Sequence, residues 1–186
     1  MKKIRLAIVG CGFMSDIHKR AFDELKDKIE VIATVDVDLQ KARSMAELLG
    51  ASTASADYRE VLGAADSALL ALPHHLHHPI GIDCLHRGIH VLMEKPLALD
   101  ERECLDLIRA SEESGAKLMV GYIMRFHPQI RELKKIIDDG RYGECFQMSI
   151  WTEQYTYLPE GSWMRSAKKL GGGQLFSHGC HYVDLL

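Results

Sequence analysis

The stretch Ile4-Arg5-Leu6-Ala7-Ile8-Val9-Gly10-Cys11-Gly12-Phe13-Met14-Ser15 decides how the chain is read. An apolar run ends in two glycines one residue apart, and a helical pattern begins at once. Gly10 permits a tight turn, and Gly12 lets the backbone come close to a bound phosphate. The N–H groups opening the next helix then point at that anion. The third small position is Ser15 instead of Gly or Ala. Taken alone, the glycine pair also fits a plain turn between strand and helix.

Outward from that turn the pattern repeats. Ile17, Ala21 and Leu25, with Phe22 beside them, form one face of a helix over 14–26. The β-branched run from Glu30 to Val35 predicts a buried parallel strand ending at Asp36. Asp38 caps a second helix, whose apolar face is Ala42, Met45, Ala46 and Leu49 and which Gly50 closes. Strand, helix, strand, helix is the rhythm of an α/β, doubly wound parallel sheet. Asp36 lies about 20 residues beyond the turn, where a carboxylate accepts hydrogen bonds from adenosine ribose hydroxyls. It would repel a 2′-phosphate, so NAD is favoured, although the turn itself also suits NADP. The other reading of Asp36 is an exposed acid at a strand end.

The bulk numbers bound the alternatives. The chain has 186 residues, 47% hydrophobic and 26% charged, which is ordinary globular composition. A net charge of −3 supplies no basic field, which argues against nucleic acid as a partner. No apolar run approaches the roughly 20 residues that span a bilayer. Five cysteines without CxxC spacing predict reduced, mostly buried thiols and a cytoplasmic protein.

Further along, Tyr58 to Leu62 reads as a short helix, and Ser67 to Leu72 as a strand stopped by Pro73. His74, His75, His77 and His78 crowd the loop that follows. No carboxylate or cysteine nearby completes a recognisable ligand spacing, so no metal site is assigned. Loops at the carboxyl ends of parallel strands are where open α/β sheets bind ligands. His77 is therefore expected to touch the ligand, with the other three at the surface. Residues 80–87 read as a helix closed by Gly88, and Ile89 to Met93 as a strand with Glu94-Lys95-Pro96 at its tip. Asp100 and Glu103 form a capping box for a helix carrying Cys104, Leu105 and Ile108, which Gly115 closes. Leu118 to Val120 is a further strand, and Gly121-Tyr122 follows it. Alternation of Phe146, Met148 and Ile150 predicts a strand over 145–153, and a helix begins at Gln174.

Together these pieces resemble the Gfo/Idh/MocA family of nicotinamide-dependent oxidoreductases. The resemblance rests on the turn Gly10 to Met14, on Asp36, and on Leu72-Pro73 with His77 four residues after the proline. It rests further on Glu94-Lys95-Pro96 and on Gly121-Tyr122 followed by Arg125-Phe126-His127-Pro128. Finally, Gly171-Gly172-Gly173 precedes Gly179, His181 and Asp184. The resemblance implies that Gly10, Gly12, Phe13, Met14, Asp36, Pro73, His77, Glu94 and Lys95 contact NAD. It implies Lys95 and His181 as the catalytic pair, and Asp184 as a supporting acid. The ammonium would hold the reacting hydroxyl and lower its pKa, and the imidazole would take its proton. The sequence departs from the pattern at Ser177, where many sugar dehydrogenases of this type carry Asp, and at His74 and Ile123.

The expected organisation is a Rossmann domain over 1–122 and the opening part of an α/β substrate domain over 123–186. Family members run well past the glycine triplet, so the chain is read as either a fragment or a natural truncation, and the resemblance implies that a full-length protein is oligomeric through its second domain. The expected activity is hydride transfer between a nicotinamide cofactor and a secondary alcohol of a sugar, polyol or related cyclic alcohol. A dinucleotide-sensing Rossmann module without turnover is the alternative.

Overall fold

The structure, a computed structural model, describes residues 2–186. It divides into two compact units, one ending at Gly121 and one comprising Tyr122–Leu186.

The first unit alternates strands and helices: β1 (Ile4–Val9), α1 (Phe13–Leu25), β2 (Ile29–Val35), α2 (Leu39–Leu49), β3 (Thr53–Ser55) and α3 (Arg59–Leu62). β4 (Ser67–Leu70), α4 (His77–His86), β5 (His90–Met93), α5 (Glu101–Ser114) and β6 (Leu118–Val120) complete it. The strands form one six-stranded sheet in the order β3-β2-β1-β4-β5-β6. Every pairing is parallel. Chain order reverses between β1 and β4, and the carboxyl ends flanking such a switch point form a crevice that takes ligands.

Alternate side chains explain why the central strands read as unbroken apolar runs. Ala7, Val9, Ala68, Leu70, Val91 and Met93 face one side and pack with Leu85 of α4 and Leu107 of α5. Leu6, Ile8 and Leu69 face the other, against Phe22 and Leu49. A sheet covered on both faces needs apolar residues at both parities.

The caps form as expected. Asp38 accepts from the Gln40 N–H at 3.1 Å, and Gly50 closes α2 at φ +69°. Asp100 accepts from the Glu103 N–H at 2.9 Å, while the Glu103 carboxylate reaches back to the Leu99 N–H at 3.0 Å. The box therefore grips the residue before the cap.

The second unit opens with a 3₁₀ turn, Ile123–Phe126, and α6 (Pro128–Asp138), which starts on its proline. Two short helices follow, α7 (Ala167–Leu170) and α8 (Cys180–Val183). One expectation is corrected here. Residues 145–153 run without strand pairing among the described residues, with Phe146 and Trp151 at least 90% exposed. Alternation alone does not make a strand: the ladder requires a neighbour. The helix expected from Gln174 does form, with helical backbone from Gln174 to Val183 that is wound as a π-helix over Leu175–Gly179 before the single turn of α8.

Candidate cofactor-binding and catalytic residues

At the carboxyl end of β1, Gly10 has φ +95°, and a Cβ there would collide with the Ala71 carbonyl that follows β4. Gly10 is thus dictated by the protein's own packing. Gly12 is different. Its φ is −95°, open to any residue, and a Cβ would meet no atom within 4 Å among the described residues. Nothing inside the protein asks for glycine here, whereas close approach of a ligand to the backbone would.

Gly12 also opens α1, and no side chain among the described residues caps that helix. Amides left in this way at a helix start present partial positive charge to an anion. Phe13 projects outward, 78% exposed, and Met14 is half-buried. Ser15 is fully buried, and its hydroxyl donates to the Gly10 carbonyl. The unmatched third position of the fingerprint therefore clasps the turn from below.

Asp36 stands at the tip of β2 beside this turn. One carboxylate oxygen accepts from the Cys11 N–H and the other from the Asp38 N–H, both at 2.9 Å. Each oxygen keeps acceptor capacity for a ribose hydroxyl. The Cys11 thiol beneath is pushed up to about 12, chiefly by burial and then by the Asp36 charge.

After β4, Pro73 leads into a 3₁₀ turn, His74–Leu76, and then α4. The turn folds His74 and His77 inward. His74 is 5% exposed rather than at the surface, and its ring lies 5.7 Å from that of His77. His77, expected to touch the ligand, is fully buried, with Nδ1 2.7 Å from the Pro96 carbonyl and Nε2 2.9 Å from the Leu72 carbonyl. Burial pushes its pKa down, against the opposing pull of those carbonyls and of Glu94. His77 ties the loop after β4 to the loop after β5 from underneath. Among the described residues no group of three His, Cys, Asp or Glu side chains is placed to hold a metal ion.

Glu94-Lys95-Pro96 leaves β5 on the same edge of the sheet, with a cis peptide between Lys95 and Pro96. Glu94 is 5% exposed; its Oε1 meets His18 Nε2 of α1 at 2.6 Å, and its Oε2 accepts from the Lys95 N–H at 3.3 Å. Glu94 is thereby turned into the protein, and Lys95 is half-buried beside it. Sequence reasoning passed over His18, which no motif marks.

In the second unit, His181 of α8 is half-buried, its ring edge-on to Tyr122 at 6.2 Å and to His178 at 6.1 Å. Ser177 is buried one turn before it. Asp184 gives both carboxylate oxygens to Arg125, at 2.6 Å from Nε and 2.9 Å from Nη2. Arg125 Nη2 also donates to the Asp184 carbonyl at 2.9 Å. The expected supporting acid is thus the anchor between α8 and the segment after Tyr122. A hollow of about 530 Å³ lined by Tyr122, Phe176, Cys180, Val183 and neighbours is largely apolar and open.

The first unit fits NAD: an open face at Gly12, an uncapped helix start, and a carboxylate beside the turn. Comparison with known proteins agrees. Residues 4–122 match the oxidoreductase family with the NAD-binding Rossmann fold, and residues 130–186 match the Gfo/Idh/MocA C-terminal domain. Inositol 2-dehydrogenase of an Arthrobacter species is 34% identical over 148 residues, 78% of this chain and 44% of that protein. 2,7-Anhydro-N-acetylneuraminate hydratase of Mediterraneibacter gnavus is 30% identical over 190 residues, 99% of this chain and 48% of that one. The crystal structure of the WlbA dehydrogenase of Chromobacterium violaceum, in complex with NADH and UDP-GlcNAcA, superposes with a TM-score of 0.87 at 28% identity. That match covers 100% of this chain and 55% of WlbA. The chain spans about half the length of the curated relatives it matches. With its NAD-binding Rossmann domain over residues 4–122, the chain belongs to the Gfo/Idh/MocA oxidoreductase family.

Proposed function

We propose that the protein works as an NAD-dependent dehydrogenase on a secondary hydroxyl of a sugar, an inositol or a nucleotide-linked sugar. The observation that carries this reading is the placement of Lys95 on the same sheet edge as the open glycine turn and Asp36. NAD supplies the hydride acceptor when bound. Gly10, Gly12, Phe13 and Met14 line the turn toward its phosphates, and Asp36 takes the adenosine ribose.

Lys95 then holds the substrate hydroxyl and stabilises the negative charge that grows on its oxygen. His181 takes the hydroxyl proton, a task suited to an imidazole near neutral pH. Tyr122 and His178 edge-on to its ring limit how it turns. The substrate class draws on the inositol and UDP-sugar names among the relatives.

The test is to mix the protein with NAD and a panel of inositols, sugars and UDP-sugars and to follow absorbance of the reduced cofactor. Turnover on at least one member, lost in Lys95→Ala while NADH still binds, is expected. NADH binding without turnover on the whole panel would overturn the dehydrogenase reading.

A further inference from the structure

His18 is the residue of α1 that reaches across the sheet edge to the tip of β5. Its Nε2 lies 2.6 Å from Glu94 Oε1, although 76 residues separate the two in sequence. An ionised carboxylate only accepts, so opposite it Nε2 is the donor of this bond. Glu94 is confined on its other sides. Its Oε2 accepts from the Lys95 N–H, and a Cβ on Gly121 would come within 3.4 Å of Oε1. The carboxylate is 5% exposed, so removing the His18 donor leaves a buried oxygen short of that partner.

The amino end of α1 is the glycine turn, and its body carries His18. We infer that His18 is a positioning residue that couples the phosphate-binding turn to Lys95 through the Glu94 carboxylate. The inference rests on the NAD reading of the turn and of Lys95. Its physical content is that one rigid helix fixes both ends of the dinucleotide site. The turn is fixed through the backbone at Gly12, and the backbone of Lys95 through the chain His18 Nε2–H, Glu94 carboxylate, Lys95 N–H.

The experiment compares wild type with His18→Ala, His18→Asn and His18→Gln. Three quantities are read: NADH affinity by fluorescence, ADP affinity by calorimetry, and hydrogen exchange at the Lys95 amide by NMR. ADP engages the turn but not the nicotinamide end. His18→Ala is expected to weaken NADH about tenfold, the size of a lost hydrogen bond to a charged group, with ADP within about twofold of wild type. Its Lys95 amide should exchange faster. His18→Asn, whose amide falls short of Glu94, should behave like alanine. His18→Gln places a donor near the position of Nε2 and should restore both readouts.

Equal losses for ADP and NADH would mean that His18 only supports the fold, and would overturn the inference. So would an unchanged Lys95 amide in both His18→Ala and His18→Asn. If wild-type protein bound neither nucleotide, the NAD reading would fail. The amide exchange would still decide whether His18 governs Lys95.

Discussion

The Cys11 amide donates to the Asp36 carboxylate at 2.9 Å, joining the glycine turn to the tip of β2. Asp36 is thus at once an internal anchor and the acceptor offered to a ribose. Asp36→Ala should lower NADH affinity by at least about tenfold and lower the Tm, because two backbone N–H groups lose their acceptor. Asp36→Asn keeps one oxygen and removes the charge. It should cost less stability and narrow the preference for NADH over NADPH in parallel fluorescence titrations.

The two glycines of the turn should separate folding from binding. Gly10→Ala drives a Cβ into the Ala71 carbonyl at φ +95° and should destabilise the domain by about 2 kcal/mol or more in urea unfolding. A Cβ at position 12 meets nothing within 4 Å among the described residues, so Gly12→Val should change stability by less than about 1 kcal/mol, while NADH binding is lost. A Gly12→Val protein that bound NADH as tightly as wild type would remove the phosphate-cradle assignment.

The cysteines should react in an order set by burial. Cys145 is exposed, whereas Cys11 and Cys84 are buried, and burial pushes both of those thiols up to about 12. Iodoacetamide at pH 8 followed by peptide mass spectrometry should label Cys145 within minutes. Cys11 and Cys84 should be labelled only after denaturation.

Acid should weaken the first unit partly through Asp66. Arg5 grips it from Nε at 3.1 Å and Nη2 at 2.7 Å, and the Arg5 N–H adds a third bond at 3.0 Å. These bonds hold the Asp66 carboxyl well below the usual carboxylate range. A pKa lower in the folded state than in the unfolded chain means that the unfolded state binds the proton first. The stabilisation is therefore present above about pH 4 and is lost as the pH falls through the folded-state value. Asp66→Asn should be less stable than wild type at pH 7, and its urea midpoint should fall less steeply below pH 4.

The central strands were legible because a sheet buried on both faces demands unbroken apolar runs, as in Glu30 to Val35 and Ser67 to Leu70. β3 was not, since Thr53-Ala54-Ser55 is short, polar and paired only at the sheet edge with β2. The helix caps at Asp38 and Asp100 depend on neighbours in sequence and were readable for that reason. The burial of His77 was not legible because its two carbonyl partners, at Leu72 and Pro96, belong to loops whose approach only the strand order dictates. His18 gave no signal at all, for its partner is brought near by the adjacency of β1, β4 and β5. Asp184 was read as an acid beside His181 because helical spacing is visible in sequence, while the competing partner Arg125 lies 59 residues earlier. Residues 145–153 show the opposite failure, a correct periodicity with no neighbouring strand to act on it.

The hydroxyl of Ser15 closes on the Gly10 carbonyl, and the Gly10 N–H donates to Val35 at 2.7 Å. With the bond from Cys11 to Asp36, the turn is held by three contacts that belong wholly to the chain. A loop fixed in this way has little conformational freedom left to surrender when a dinucleotide docks. Capture of the cofactor is then a docking of rigid surfaces, with its rate governed by encounter and charge and not by loop ordering.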